Sequence, residues 1–102
     1  MDIDTIRKRE LIQLFEGVMN INTAEEISIL FEDLCTKNEL NSFAQRFSVA
    51  KMLKAGYTYQ KIENETGAST ATISRVKRAL TDGNNALNKL IENVNFKQKS
   101  AQ

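Results

Sequence analysis

Residues 58–77 read Thr-Tyr-Gln-Lys-Ile-Glu-Asn-Glu-Thr-Gly-Ala-Ser-Thr-Ala-Thr-Ile-Ser-Arg-Val-Lys, and their spacing decides the fold. Thr58 gives a polar start to a short helix that carries Ile62 inward. Gly67 falls where the chain must turn, at a place suited to a positive φ that a side-chain-bearing residue resists. Ser69 then stands as an N-cap, its hydroxyl able to take an otherwise unpaired backbone N–H. Ile73, Val76 and Leu80 follow at helical spacing and supply the inner stripe of a second helix. Two short helices closed by a glycine turn, the second lined with small hydroxyls and arginines, predict a helix-turn-helix over 58–80. Such units place their second helix in the major groove of DNA.

Charge supports this once it is divided along the chain. The whole chain carries only +1. Residues 1–45 are net −5, residues 46–80 net +5 and residues 81–102 net +1. The positive field therefore lies on the helix-turn-helix and on the helix that feeds it, as a nucleic-acid footprint requires. Charge holds and steers a duplex without specifying its sequence.

The whole chain has no proline, and its glycines (Gly17, Gly56, Gly67, Gly83) sit at or near expected helix ends, which points to an all-α fold with short connections. A first helix is expected over 3–18, with Leu11, Leu14, Phe15 and Val18 in a stripe and Arg7, Lys8 and Arg9 near its start. Thr23-Ala-Glu-Glu26 spells a capping box for a second helix reaching about Cys35 and burying Ile27, Leu30, Phe31 and Leu34. Asn38-Glu39 opens a third, over about 39–55. Leu40, Phe43, Ala44, Phe47 and Ala50 lie along one side of it, and Val49, Met52 and Leu53 wrap towards the other, so it is expected at the centre of the core. A last helix, 84–94, presents Leu87, Leu90, Ile91 and Val94. The expected organisation is one all-α helix-turn-helix domain over 1–96, with 1–55 as core and dimerisation helices, 84–94 as a C-terminal dimerisation helix, and 97–102 as a polar, flexible tail.

The residue inventory narrows the chemistry. There is no histidine, the commonest general base and metal ligand, and a single cysteine, Cys35. An ordinary zinc finger is excluded. Cys35 reads as a small apolar residue, since it has neither a disulfide partner nor a histidine to activate it. The carboxylate pairs Glu25–Glu26, Glu32–Asp33 and Glu63/Glu65 read as solvated helix faces. No enzyme, cofactor or metal is expected. No run approaches the roughly 20 apolar residues of a membrane span, and the acidic start, Met1-Asp2-Ile3-Asp4, lacks the order of a secretory signal. A cytoplasmic protein working at the bacterial nucleoid is expected.

With Ile73, Val76 and Leu80 turned inward, helical rotation places Ala71, Ser74, Arg75 and Arg78 on the outer face, with Ser69, Thr70 and Thr72 at the start. The expected DNA-binding set is these residues together with Lys77 and, on the preceding helix, Gln60 and Lys61. Small side chains let a backbone approach bases closely, hydroxyls serve bases or phosphates, and arginines reach guanine or clamp phosphate. A helix-turn-helix of some 25 residues buries too little alone. The other helices either pack into a compact six-helix monomer or exchange with a second copy in a two-fold dimer. The dimer also places two recognition helices about 34 Å apart, in successive major grooves.

The stretch Thr66-Gly67-Ala68-Ser69-Thr70-Ala71-Thr72-Ile73-Ser74-Arg75 resembles the corresponding segment of the Trp repressor family, and the chain to about residue 95 resembles that family's six-helix layout, most closely in its YerC/YecD-type branch. The resemblance implies an intertwined homodimer that binds operator DNA and represses transcription. Tryptophan-responsive members fix the amino acid between two arginines. Arg75 matches one of them. Gln45 stands at the other, with Arg46 rotated by about 100°, and Val76 replaces the glycine that lies against the indole. Tryptophan is therefore not expected to bind, and no small-molecule effector is indicated. The reading is a double-stranded-DNA-binding regulator acting as a homodimeric repressor, free of any membrane. The alternative is a protein-interaction module acting on the transcription machinery.

Overall fold

Six helices follow one another in the computed structural model, which describes the backbone of residues 3–101 and the side chains of residues 5–94. They are α1 (Ile3–Val18), α2 (Ala24–Leu34), α3 (Lys37–Lys54), α4 (Tyr59–Thr66), α5 (Thr70–Asp82) and α6 (Ala86–Ala101), with no strand among the described residues. The all-α reading holds. Backbone contacts divide the chain into two units, Met1–Leu40 and Asn41–Gln102.

In the first unit, local hydrogen bonds set the helix ends. Glu26 donates its N–H to Thr23 Oγ1 at 3.1 Å, and the Thr23 hydroxyl donates to Glu26 Oε1 at 3.0 Å, so the glutamate reaches the cap through the hydroxyl instead of the backbone. A complete capping box starts α3. Glu39 N–H donates to Thr36 Oγ1 at 3.1 Å, and Thr36 N–H donates to Glu39 Oε1 at 2.7 Å. The helix consequently opens at Lys37, two residues before the expected start. The expected burial does not occur within this unit. Leu11, Leu14, Phe15, Ile27, Phe31 and Leu34 are all exposed, and no described residue of the unit is buried.

The second unit has a core. Val49 and Ala50 of α3, Ile62 of α4, Ala68 of the turn, Ile73 and Val76 of α5 and Ile91 of α6 are buried. Phe47, Met52, Leu53, Tyr59, Leu80 and Leu87 close around them. Fully burying one aliphatic side chain of this size contributes about 1.5–3 kcal/mol. Two polar ties hold α6 in place: Asn88 Nδ2 donates to Leu80 O at 2.9 Å, and Lys54 Nζ pairs with Glu92 at 3.2 Å. Phe43 and Ala44, expected on the inner side of α3, are exposed, and so is Leu90 of α6. The last helix starts later than expected because Asn85 takes φ +67°, a left-handed conformation that asparagine tolerates and helices do not continue through. It also runs beyond 94, to Ala101, since no glycine or proline follows Gly83. The side chains of the polar segment 97–102 lie outside the described residues.

Candidate nucleic-acid interface

Three side-chain and backbone devices set α4 and α5. Thr58 caps α4 by accepting from Lys61 N–H at 3.2 Å. Gly67 ends the helix at φ +73°, its N–H donating to Glu63 O at 2.9 Å. Ser69 caps α5, accepting from Thr72 N–H at 3.1 Å. Ile62, Ala68, Ile73 and Val76 bury the inner faces of both helices and of the turn.

The outer surface of α5 collects most of the expected residues. Ala71, Thr72, Arg75 and Arg78 line one shallow recess of about 280 Å³. Both arginines are exposed, and neither joins the ion pairs seen among the described residues, Lys54–Glu92 and Lys61–Glu65. Ser74 is half-buried beside them. Lys77 is exposed, with its ammonium over the Tyr59 ring of α4, 5.7 Å from the centroid, which ties it to the preceding helix. Gln60 and Lys61 are exposed in the first turn of α4. Lys61 Nζ lies 2.9 Å from Glu65 Oε1, and this hydrogen bond raises its pKa further above the ordinary lysine value. The ammonium stays charged at neutral pH, and a phosphate must compete with Glu65 for it.

The hydroxyls at the start of α5 are not equivalent. Ser69 donates its proton to Thr72 Oγ1 at 3.1 Å, and Thr70 donates its own to Glu63 Oε1. Both can only accept from a partner. Thr72 accepts from Ser69 and keeps a proton to give. A phosphate oxygen needs a donor, so Thr72 is the hydroxyl of these three fitted to it. Sequence spacing does not reveal Glu63 as the residue that engages Thr70, because the contact depends on two side chains meeting across the turn. The Thr36–Glu39 box, by contrast, is spelled in the sequence.

Next to this surface lies an apolar recess of about 310 Å³, lined by Phe43, Phe47, Val76, Ala79 and Leu87, with Arg46 and Arg75 beside them. Arg46, not Gln45, therefore shares a cavity with Arg75. Gln45 lines a separate groove with Ser48, Lys51, Glu65 and Thr66, and donates from Nε2 to Thr66 O at 3.1 Å. Among the described residues no group of three or more Cys, Asp or Glu side chains could hold a metal ion, and no helix is long and apolar enough to cross a membrane.

The arrangement is that of an all-helical protein whose fourth and fifth helices present a basic, hydroxyl-bearing face. The family model of the Trp repressor protein matches residues 9–95, and the chain belongs to that family. It is 54% identical over 94 residues to YerC of Bacillus subtilis (strain 168), an uncharacterized protein, covering 92% of this chain and 90% of that one. A crystal structure of a candidate Trp repressor from Staphylococcus aureus superposes with TM-score 0.82 at 49% identity, covering 93% of this chain and 95% of that one. A TrpR-like protein from Eubacterium eligens ATCC 27750 gives TM-score 0.82 at 42% identity, covering 90% and 95%.

Proposed function

We propose that the protein is a sequence-specific DNA-binding transcriptional repressor, a homodimer whose two helix-turn-helix units read a two-fold-symmetric operator. The observation that carries this is the outer face of α5, where Thr72, Arg75 and Arg78 converge on one recess and neither arginine has an acidic partner among the described residues. The reading includes the remaining expected residues in graded roles. Ser69 and Thr70 shape the start of the helix and offer acceptors only, Ala71 admits close approach, and Gln60, Lys61, Ser74 and Lys77 flank the contact. The homodimer is supported by the first unit, whose helices leave Leu11, Phe15, Ile29 and Leu34 at least half exposed. A second copy with the same stripes covers such faces and supplies the second reading helix.

The experiment is a comparison of wild type with Arg75→Ala/Arg78→Ala in a fluorescence binding assay on DNA fragments retained by the wild type. Both side chains point away from the buried stripe, so the double variant should melt as the wild type does. It should bind at least about tenfold more weakly at 0.15 M salt, with the salt slope reduced by about 2. Unchanged affinity in the folded variant would remove these residues from the interface. A protein-interaction role on the transcription machinery would instead show as salt-insensitive pulldown of a protein partner, without strongly salt-dependent DNA binding.

The same reading makes repression independent of tryptophan. Val76, 5% exposed, occupies the wall of the apolar recess that Arg46 and Arg75 border, and fills space that an indole ring needs. Titration calorimetry should give no binding at micromolar tryptophan, and a micromolar Kd would overturn this part.

A further inference from the structure

One side chain reaches from α3 to the turn that precedes α5. Gln45 Nε2 donates to the carbonyl of Thr66 at 3.1 Å, a half-buried contact between residues 21 apart in sequence. Thr66 is the last residue of α4, and its carbonyl is one of those that the helix itself cannot satisfy. The same residue gathers the turn from the other side. Its hydroxyl donates to Ile62 O at 2.7 Å and accepts from Ala68 N–H at 3.1 Å. Gly67 follows immediately, and a Cβ there would lie 3.9 Å from Gln45 Nε2. Four residues along α3, Val49 is fully buried, so Gln45 projects from a helix anchored in the core.

We propose that Gln45 is a positioning residue. Its amide holds the end of α4 against α3 and thereby fixes where the cap of α5 begins, so that α3 sets the pose of the reading helix. This rests on the DNA-binding reading above. The reasons are geometric. Only residues 67–69 separate the clamped carbonyl from the first residue of α5, and two of those three are already committed: Gly67 by its left-handed φ and Ser69 by its cap. A shift at Thr66 passes to Thr70 with little slack, and placement of contacting groups to well under an ångström decides a recognition site. Lys51 lines the same groove as Gln45 with an ammonium donor, yet it is the Gln45 amide that takes the Thr66 carbonyl.

The test uses the full chain with Gln45→Met, which keeps the length and loses the N–H donors, and Gln45→Glu, which at neutral pH presents a carboxylate to a carbonyl. Two readouts are taken: amide hydrogen exchange, and dissociation from a DNA fragment retained by the wild type. A hydrogen bond of typical net strength corresponds to about a fivefold change. In both variants the Gly67 and Ala68 amides should exchange about fivefold faster while those of Val49 and Ala50 stay protected, and DNA should dissociate about fivefold faster. Exchange unchanged at Gly67 and Ala68, or raised equally across α3, would overturn the clamp. Locally faster exchange with wild-type DNA dissociation would overturn its role in positioning. Should the wild type retain no DNA, the DNA reading fails, and the exchange data still judge the clamp by themselves.

Discussion

At Gly67 conformation and space can be separated. The backbone takes φ +73°, and a Cβ built there would meet only the Gln45 amide, at an ordinary van der Waals distance of 3.9 Å. Gly67→Ala should therefore cost about 1–2 kcal/mol through the left-handed backbone alone, without a clash. Chemical denaturation at equilibrium checks this, and a variant as stable as the wild type would contradict it. Thr58, Gly67, Ser69, Ile73 and Val76 were all legible in the sequence, because each acts on its own backbone or on a stripe with a fixed period. Gln45 and Arg46 were not. Which of them shares a cavity with Arg75 depends on how α3 is rotated against α5, and the pattern of α3 is apolar around too much of its circumference to fix that rotation. The donors at Ser69 and Thr70 were hidden for a related reason: Glu63 and Thr72 take them through side-chain geometry that spacing does not encode.

Among the helices, ends were harder to read than existence. All six appear in the expected order, and α1 and α2 have the expected spans to within a residue. α3 opens ahead of Asn38-Glu39 because Thr36 forms the reciprocal pair with Glu39. Hydrogen bonds from the Thr36 backbone and then its side chain hold the Glu39 carboxyl below its ordinary pKa of 4.5. A carboxylate lowered on folding stabilises the folded state above its unfolded pKa, and the contribution is lost as pH falls through the lower folded value. Glu39→Gln should consequently melt below wild type by a constant margin from pH 7 down to about 5, and the margin should close as the pH drops below about 4.5. A margin that persists unchanged at pH 3 would assign the effect to packing instead of charge. The far end of α6 shows the converse problem. The apolar pattern stops at Val94, but Lys97, Gln98, Lys99 and Ala101 are good helix formers, and backbone propensity carries the helix on after the reason to bury a face has ended.

For the molecule as a whole, the uneven burial is the informative feature. Every buried residue among those described belongs to Asn41–Gln102, while Met1–Leu40 displays its apolar stripes to solvent. On the proposed reading, a second copy supplies the cover that these stripes lack. The sequence displayed the stripes but could not show whether they close within one chain, since periodicity names a face and not its partner. The central claim joins this whole-molecule feature to the face of α5: two copies, two reading helices, one symmetric site. The most direct test is selection of fragments from sheared genomic DNA of the source organism by the purified protein near 0.15 M salt, with no tryptophan added. Enrichment of a two-fold-symmetric sequence whose half-sites are centred about one helical turn apart, some 34 Å, is expected. Recovery of no enriched sequence, or of an asymmetric single half-site, would contradict it.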